Sequence, residues 1–131
     1  PYVKRFSNDV EVCDTLDSLI RNSDILSIHT ALTHETVNLI GINELRLLPK
    51  HAVVINTARG DILDAEALLE VLKKGLISGA AIDVVPGERC IKHHLREELL
   101  QYAKVENNLL ITGLELVSLE VKSALDAMHL V

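Results

Sequence analysis

Residues 52–64 read AVVINTARGDILD, and the order of residue types in that stretch decides the fold. Residues 52–55 are small or β-branched and apolar, as in a short strand buried on both faces, and the run stops at a polar cluster ending in Arg59-Gly60. An arginine is thereby set at the carboxyl end of a strand. In open α/β sheets, ligands bind in the crevice beyond those ends, where a guanidinium can meet an anionic group through two parallel hydrogen bonds. Gly60 is expected to let the chain turn sharply behind it. Asp64 then reads as a helix N-cap ahead of Ala65, Leu68, Leu69 and Leu72, spaced i, i+3, i+4, i+7, with Gly75 as the stop. The unit is strand, functional loop, helix.

The same alternation extends in both directions. Upstream, residues 10–12 are expected to form a brief strand. Asp14 is expected to cap a short helix carrying Leu16, Leu19 and Ile20, and Ser23-Asp24 to close it before a strand at 25–29. Asn43 is expected to cap a helix bearing Leu45 and Leu48, which Pro49 ends. Downstream, residues 78–85, SGAAIDVV, read as a strand with Asp83 its one charge. Leu95, Leu99, Leu100 and Ala103 mark a helix, residues 109–112 a last strand, and Val121, Ala124, Leu125 and Met128 a closing helix. Such alternation predicts an α/β fold, a parallel sheet with right-handed crossovers and helices on both faces.

Composition narrows the function. With 131 residues and 48% hydrophobic content the chain holds one domain with a real core. A net charge of -6, with 13 Lys and Arg forming no patch, argues against a nucleic-acid surface. Two Tyr, one Phe and no Trp leave no platform for stacking bases. Cys13 and Cys90 lie far apart and a secretory leader is not expected, so free thiols in a reducing compartment are expected rather than a disulfide. No apolar run nears the ~20 residues that span a bilayer. The reading is a soluble, cytoplasmic protein with no membrane or nucleic-acid partner and no metal site.

Several blocks, in order, resemble the D-isomer-specific 2-hydroxyacid dehydrogenases of the phosphoglycerate dehydrogenase type. They are Ser23-Asp24-Ile25-Leu26-Ser27-Ile28-His29-Thr30, Leu32-Thr33, Glu35-Thr36, Leu39-Ile40, Ile55-Asn56-Thr57-Ala58-Arg59-Gly60, Ala67-Leu68 and Gly79-Ala80-Ala81-Ile82-Asp83-Val84. The resemblance implies NAD(H)-dependent reduction of 2-oxo acids, on a doubly wound, Rossmann-like cofactor domain set against a substrate domain. It covers the second portion of the cofactor domain only, so residues 1–131 are expected to be a single partial dinucleotide-binding domain. The Gly-rich phosphate loop and the acid that holds the adenosine ribose have no counterpart here, and Pro1-Tyr2 resembles the dipeptide after that acid. The chain therefore resembles one that begins just after the first βαβ unit.

The resemblance also distributes roles. Arg59 matches the arginine that binds the substrate carboxylate and polarises its carbonyl; alone it would read rather as an ion-paired loop arginine, and the surrounding Asn56-Thr57-Ala58-Arg59-Gly60 block turns the reading to function. Glu88 matches the acid that pairs with the catalytic histidine, although Arg89 stands where a proline is usual, and it reads otherwise as a solvated carboxylate. The histidine itself belongs in a T-P-H segment where this chain has Thr112-Gly113-Leu114. Leucine transfers no proton, so a non-catalytic NAD-binding or subunit-docking module is the alternative reading. His93, His94 and His129 are poor substitutes, the first two being adjacent residues that share no helical face. Cofactor contacts fall on His29, Thr30 and Ala31, where Ala31 replaces the family's proline, on Thr57 and Ala58 through their backbone, on Arg59, and on Asp83, which by resemblance accepts a hydrogen bond from the nicotinamide carboxamide. Otherwise His29 is a hydrogen-bonded histidine at a strand end and Asp83 a turn cap. Thr36 reaches the cofactor or caps a short turn. Half a doubly wound sheet leaves an open edge and bare apolar faces, so a homo-oligomer is expected; a small 2-hydroxy or 2-oxo acid as substrate is what the resemblance implies.

Overall fold

Alternating burial along each strand sets the layers of the molecule. The computed structural model describes residues 10–84 and 93–111. Its elements run α1 (Leu16–Arg21), β1 (Ile25–Ile28), α2 (Ile42–Leu47), β2 (Val53–Asn56), a single 3-10 turn (Gly60–Ile62), α3 (Ala65–Lys73), β3 (Gly79–Ile82), α4 (His93–Val105) and β4 (Leu109–Ile111). The strands form one sheet in the order β1-β2-β3-β4, every pair parallel. A strand order that advances in one direction, joined by right-handed crossovers, stacks the connecting helices on one face. Accordingly α1 touches α2, α2 touches α3, and α3 touches α4. This is one winding direction of the doubly wound class. Among the described residues the helices lie on that face alone, and Ile25, pointing the other way, is 63% exposed.

The core lies between sheet and helices. Leu26, Ile28, Val54, Ala80 and Ile82 meet Ile20, Leu45, Leu68, Leu72, Leu95 and Leu99, all of them buried. Helix α3 is the best specified element. Asp64 caps it, accepting from the Glu66 and Ala67 amides at 3.0 and 3.1 Å, and Ala65, Leu68, Leu69 and Leu72 are buried as their spacing requires. Gly75, at φ 62°, ends it: its N–H donates to the Leu72 carbonyl and that of Leu76 to the Val71 carbonyl, the two bonds of a Schellman motif.

Some local expectations give way. Residues 10–12 lie outside any strand, with Val10 and Val12 each 54% exposed. Thr15, not Asp14, caps α1, because its hydroxyl reaches the Ser18 amide at 3.1 Å. Gly41, not Asn43, precedes α2; Glu44 carries the polar contact instead, its carboxylate accepting from the Gly41 N–H at 3.0 Å. Gly60 is buried and opens the 3-10 turn, and the one glycine with positive φ among the described residues is Gly75. The expected closing helix and Cys90 lie outside the described residues, and Cys13 is a free thiol. No helix among the described residues is long and apolar enough to cross a membrane.

Candidate functional site

Because the strands are parallel and in register, their last paired residues stand side by side: Ile28, Asn56, Ile82 and Ile111. The chain beyond Ile28, Asn56 and Ile82 leaves at one common end of the sheet. His29, Thr57 and Asp83 are the next residues, so three sequence candidates from three separate loops converge there. The Asp83 N–H donates to the Asn56 carbonyl at 2.9 Å, extending the ladder one step and holding Asp83 beside the Thr57–Arg59 loop.

That loop is fixed by a residue the sequence reading passed over. Along β2 the residues facing the helices are Val54 and Asn56, so Asn56 is a polar side chain on the buried face, 1% exposed. A buried amide must find partners. Its Oδ1 accepts from the Ala58 N–H at 3.1 Å and its Nδ2 donates to the Arg59 carbonyl at 2.9 Å. The signal was present in the sequence, as an asparagine at a core position of an alternating strand. Below it, a hollow too small for a nicotinamide ring is lined by Gly60, Leu63, Ala65, Leu68 and Ile82.

Arg59 has extended backbone, φ -147° and ψ 141°, and its exposed side chain donates from Nη1 to the Ala58 carbonyl at 2.7 Å. One of the five guanidinium donors is spent on that bond. Thr57 is exposed and Ala58 half-buried. On the neighbouring loop His29 is exposed, its Nε2 within 2.8 Å of Ser27 Oγ. Thr30 and Ala31 follow, and the Thr36 hydroxyl donates to the Ala31 carbonyl at 2.7 Å while accepting from the Thr33 N–H at 2.7 Å. These are the contacts of a short turn. The β1 and β2 loops are then joined: the Asn38 and Ile40 amides donate to the Asp61 and Ile62 carbonyls, and the Asp64 amide to the Ile40 carbonyl. Glu88, Leu114 and His129 lie outside the described residues, as do the side chains of His93 and His94. No cluster of three or more metal-ligating side chains occurs among the described residues.

The groups brought together at this end of the sheet are the exposed Thr57, a carboxylate one strand away and a guanidinium on the same loop. They include no Gly-rich turn opening a helix, the feature that seats a pyrophosphate.

Comparison with known proteins identifies the family. Residues 2–112 match the family model described as D-isomer specific 2-hydroxyacid dehydrogenase, NAD binding domain. A glyoxylate reductase of Thermofilum pendens is 51% identical over 79 residues, covering 60% of this chain and 23% of the relative. The NAD-complexed D-isomer specific 2-hydroxyacid dehydrogenase of Lactobacillus delbrueckii superposes with a TM-score of 0.64 at 32% identity, over 73% of this chain and 31% of that one. A structure from Polaromonas sp. JS6 66 reaches a TM-score of 0.70 at 26% identity, over 95% of this chain and 37% of that one. The chain thus spans about a quarter of the length of the curated relatives it matches.

Proposed function

This chain belongs to the D-isomer-specific 2-hydroxyacid dehydrogenase family, as a portion of its NAD-binding domain, and from that premise we propose that it forms the nicotinamide side of a site passing hydride between NAD(H) and C2 of a small 2-hydroxy or 2-oxo acid. The observation carrying this reading is the convergence of Arg59, Asp83 and the 57–58 main chain on one sheet edge. When bound, the cofactor supplies or accepts the hydride. The residues of this chain bind and orient. Arg59 pairs with the substrate carboxylate and withdraws charge from the neighbouring carbonyl oxygen, a task suited to a planar cation with paired N–H groups. Asp83 accepts a hydrogen bond from the nicotinamide carboxamide. Thr57 and Ala58 face the ring with their main chain, while His29, Thr30 and Ala31 line the cofactor and Thr36 holds their loop in shape. Glu88 is the proposed partner of the family's acid/base group. Leu114 stands in that group's place with no titratable atom, a loss that typically removes ~10²–10⁴-fold of rate.

The isolated chain is therefore expected to bind NAD weakly and to turn over nothing. Oxamate, which joins a carboxylate to a carbonyl, probes the Arg59 site without chemistry. Arg59→Ala should weaken its binding by about tenfold or more, as loss of a charge-assisted contact does. Equal oxamate affinity in the two proteins would overturn the reading of Arg59, and robust NADH oxidation with glyoxylate by the 131 residues would overturn the expectation that the isolated chain is inactive.

Leu114 favours a second reading, a non-catalytic NAD-binding or subunit-docking module. Light scattering addresses its docking form, since a well-behaved monomer counts against it. We assign the protein to the cytoplasm and to a homo-oligomer, the latter because β1 is an edge strand among the described residues and carries the exposed Ile25.

A further inference from the structure

We propose that Asn56 is the positioning residue of the Arg59 loop: its buried carboxamide sets the backbone of Thr57, Ala58 and Arg59 and thereby where the guanidinium stands. The proposal rests on the reading of Arg59 as the carboxylate-binding group.

The geometry makes one side chain answer for three peptide units. Asn56 ends β2 on the helix side, so its amide sits underneath the loop rather than in it, 1% exposed. From below, Oδ1 fixes the Ala58 N–H and Nδ2 fixes the Arg59 carbonyl, two bonds of opposite polarity that together define the orientation of the peptides between them. The Arg59 carbonyl also accepts from the Ile62 N–H at 3.3 Å, which hands the loop to the 3-10 turn. The main-chain carbonyl of Asn56 holds the Asp83 N–H at 2.9 Å. Both proposed ligand contacts, the guanidinium and the carboxylate, are thus referred to Asn56. Its own side chain is buried beneath the loop and acts through Arg59.

An asparagine that only completed the core would tolerate any variant that keeps the fold. Asn56→Asp separates the two roles. The ionised carboxylate keeps the acceptor for the Ala58 N–H but sets a second acceptor against the Arg59 carbonyl. Once protonated, it regains a donor at that point and matches the carboxamide in shape and polarity. Burial against a carbonyl favours the neutral form, so recovery falls within a workable pH range.

The test uses the full 131-residue chain, with amide resonances and oxamate titration as readouts. Near pH 8, Asn56→Asp is expected to shift the Ala58 and Arg59 amides and to weaken oxamate about tenfold relative to wild type at that pH, and near pH 5 both should return to the wild-type values measured at pH 5. Unmoved Ala58 and Arg59 resonances, or oxamate affinity equal to wild type across that range, would overturn the proposal. A wild type that binds no oxamate sinks the carboxylate role of Arg59 instead, and the resonances alone then decide whether Asn56 sets the loop. Should Asn56→Asp fail to fold near pH 8, Asn56→Ser is the substitute: altered Ala58 and Arg59 resonances with no return on acidification support the proposal, and unaltered ones refute it.

Discussion

The Asn38 N–H donates to the Asp61 carbonyl at 2.8 Å while Asn38 itself holds φ 51°, so the loops after β1 and β2 are stitched together at a residue in the left-handed region. Asparagine tolerates that conformation and a β-branched residue does not. The stitch continues through the Ile40–Leu63 bridge, which ties the loop bearing Thr30 and Thr36 to the one bearing Arg59.

Asn38→Gly should leave stability within about 0.5 kcal/mol of wild type, whereas Asn38→Val should cost about 1–2 kcal/mol, since only the second opposes a positive φ. Urea unfolding midpoints at constant slope measure both. A valine variant as stable as the glycine one would show that the backbone at 38 is not what holds the loops in place.

Gly75 presents a cleaner backbone case. A Cβ built there meets no atom within 4 Å, so the whole cost of Gly75→Ala comes from forcing an L-residue to φ 62°. About 1 kcal/mol of destabilisation is expected, and Gly75→Asn should lose less. Thermal melts of the pair decide it: equal losses would point to contacts rather than conformation.

What the sequence disclosed follows from how each signal arises. Asp64, Gly75 and the Ala65, Leu68, Leu69, Leu72 stripe were legible because cap, stop and periodicity agree on one helix. At α1 two polar residues compete, and Thr15 prevails over Asp14 because its hydroxyl meets the Ser18 amide three residues on. At α2 the contact comes from inside the helix, Glu44 reaching back to Gly41, a Gly-x-x-Glu pattern easily overlooked beside Asn43. The convergence of His29, Thr57 and Asp83 was foreseeable only in outline, from the rule that ligands gather at carboxyl ends. Their alignment depends on strand register, which no local stretch encodes. Asn56 escaped notice since its role is to support a neighbour.

Glu70 joins two helices from the surface. Its carboxylate accepts from Lys74, one turn on, at 2.8 Å and from Arg46 of α2 at 2.9 Å, and these bonds hold its pKa below the usual glutamate value. A carboxyl depressed in the folded state stabilises the fold above its unfolded pKa, and that contribution disappears as pH falls through the folded value. Glu70→Gln should therefore flatten the acid limb of a plot of Tm against pH, with a modest loss at neutral pH that salt reduces. Parallel acid limbs for the two proteins would show that the network adds nothing measurable.

Leu68 links stability to the site. It is 1% exposed in the core of α3 and lines the hollow beneath Asn56 and Gly60, so truncation removes packing from both helix and loop. Leu68→Ala should cost about 3 kcal/mol, within the range for buried leucine, while Leu76→Ala at a 39% exposed position should cost under about 1 kcal/mol. The loop supplies a second measurement. Amide exchange at Ala58 should accelerate in Leu68→Ala beyond the change at Leu26, whose strand lies farther from the gap, because the cavity opens directly under the Asn56 carboxamide. Uniform acceleration at both amides would mean that α3 supports the sheet as a whole and gives the Arg59 loop no particular footing.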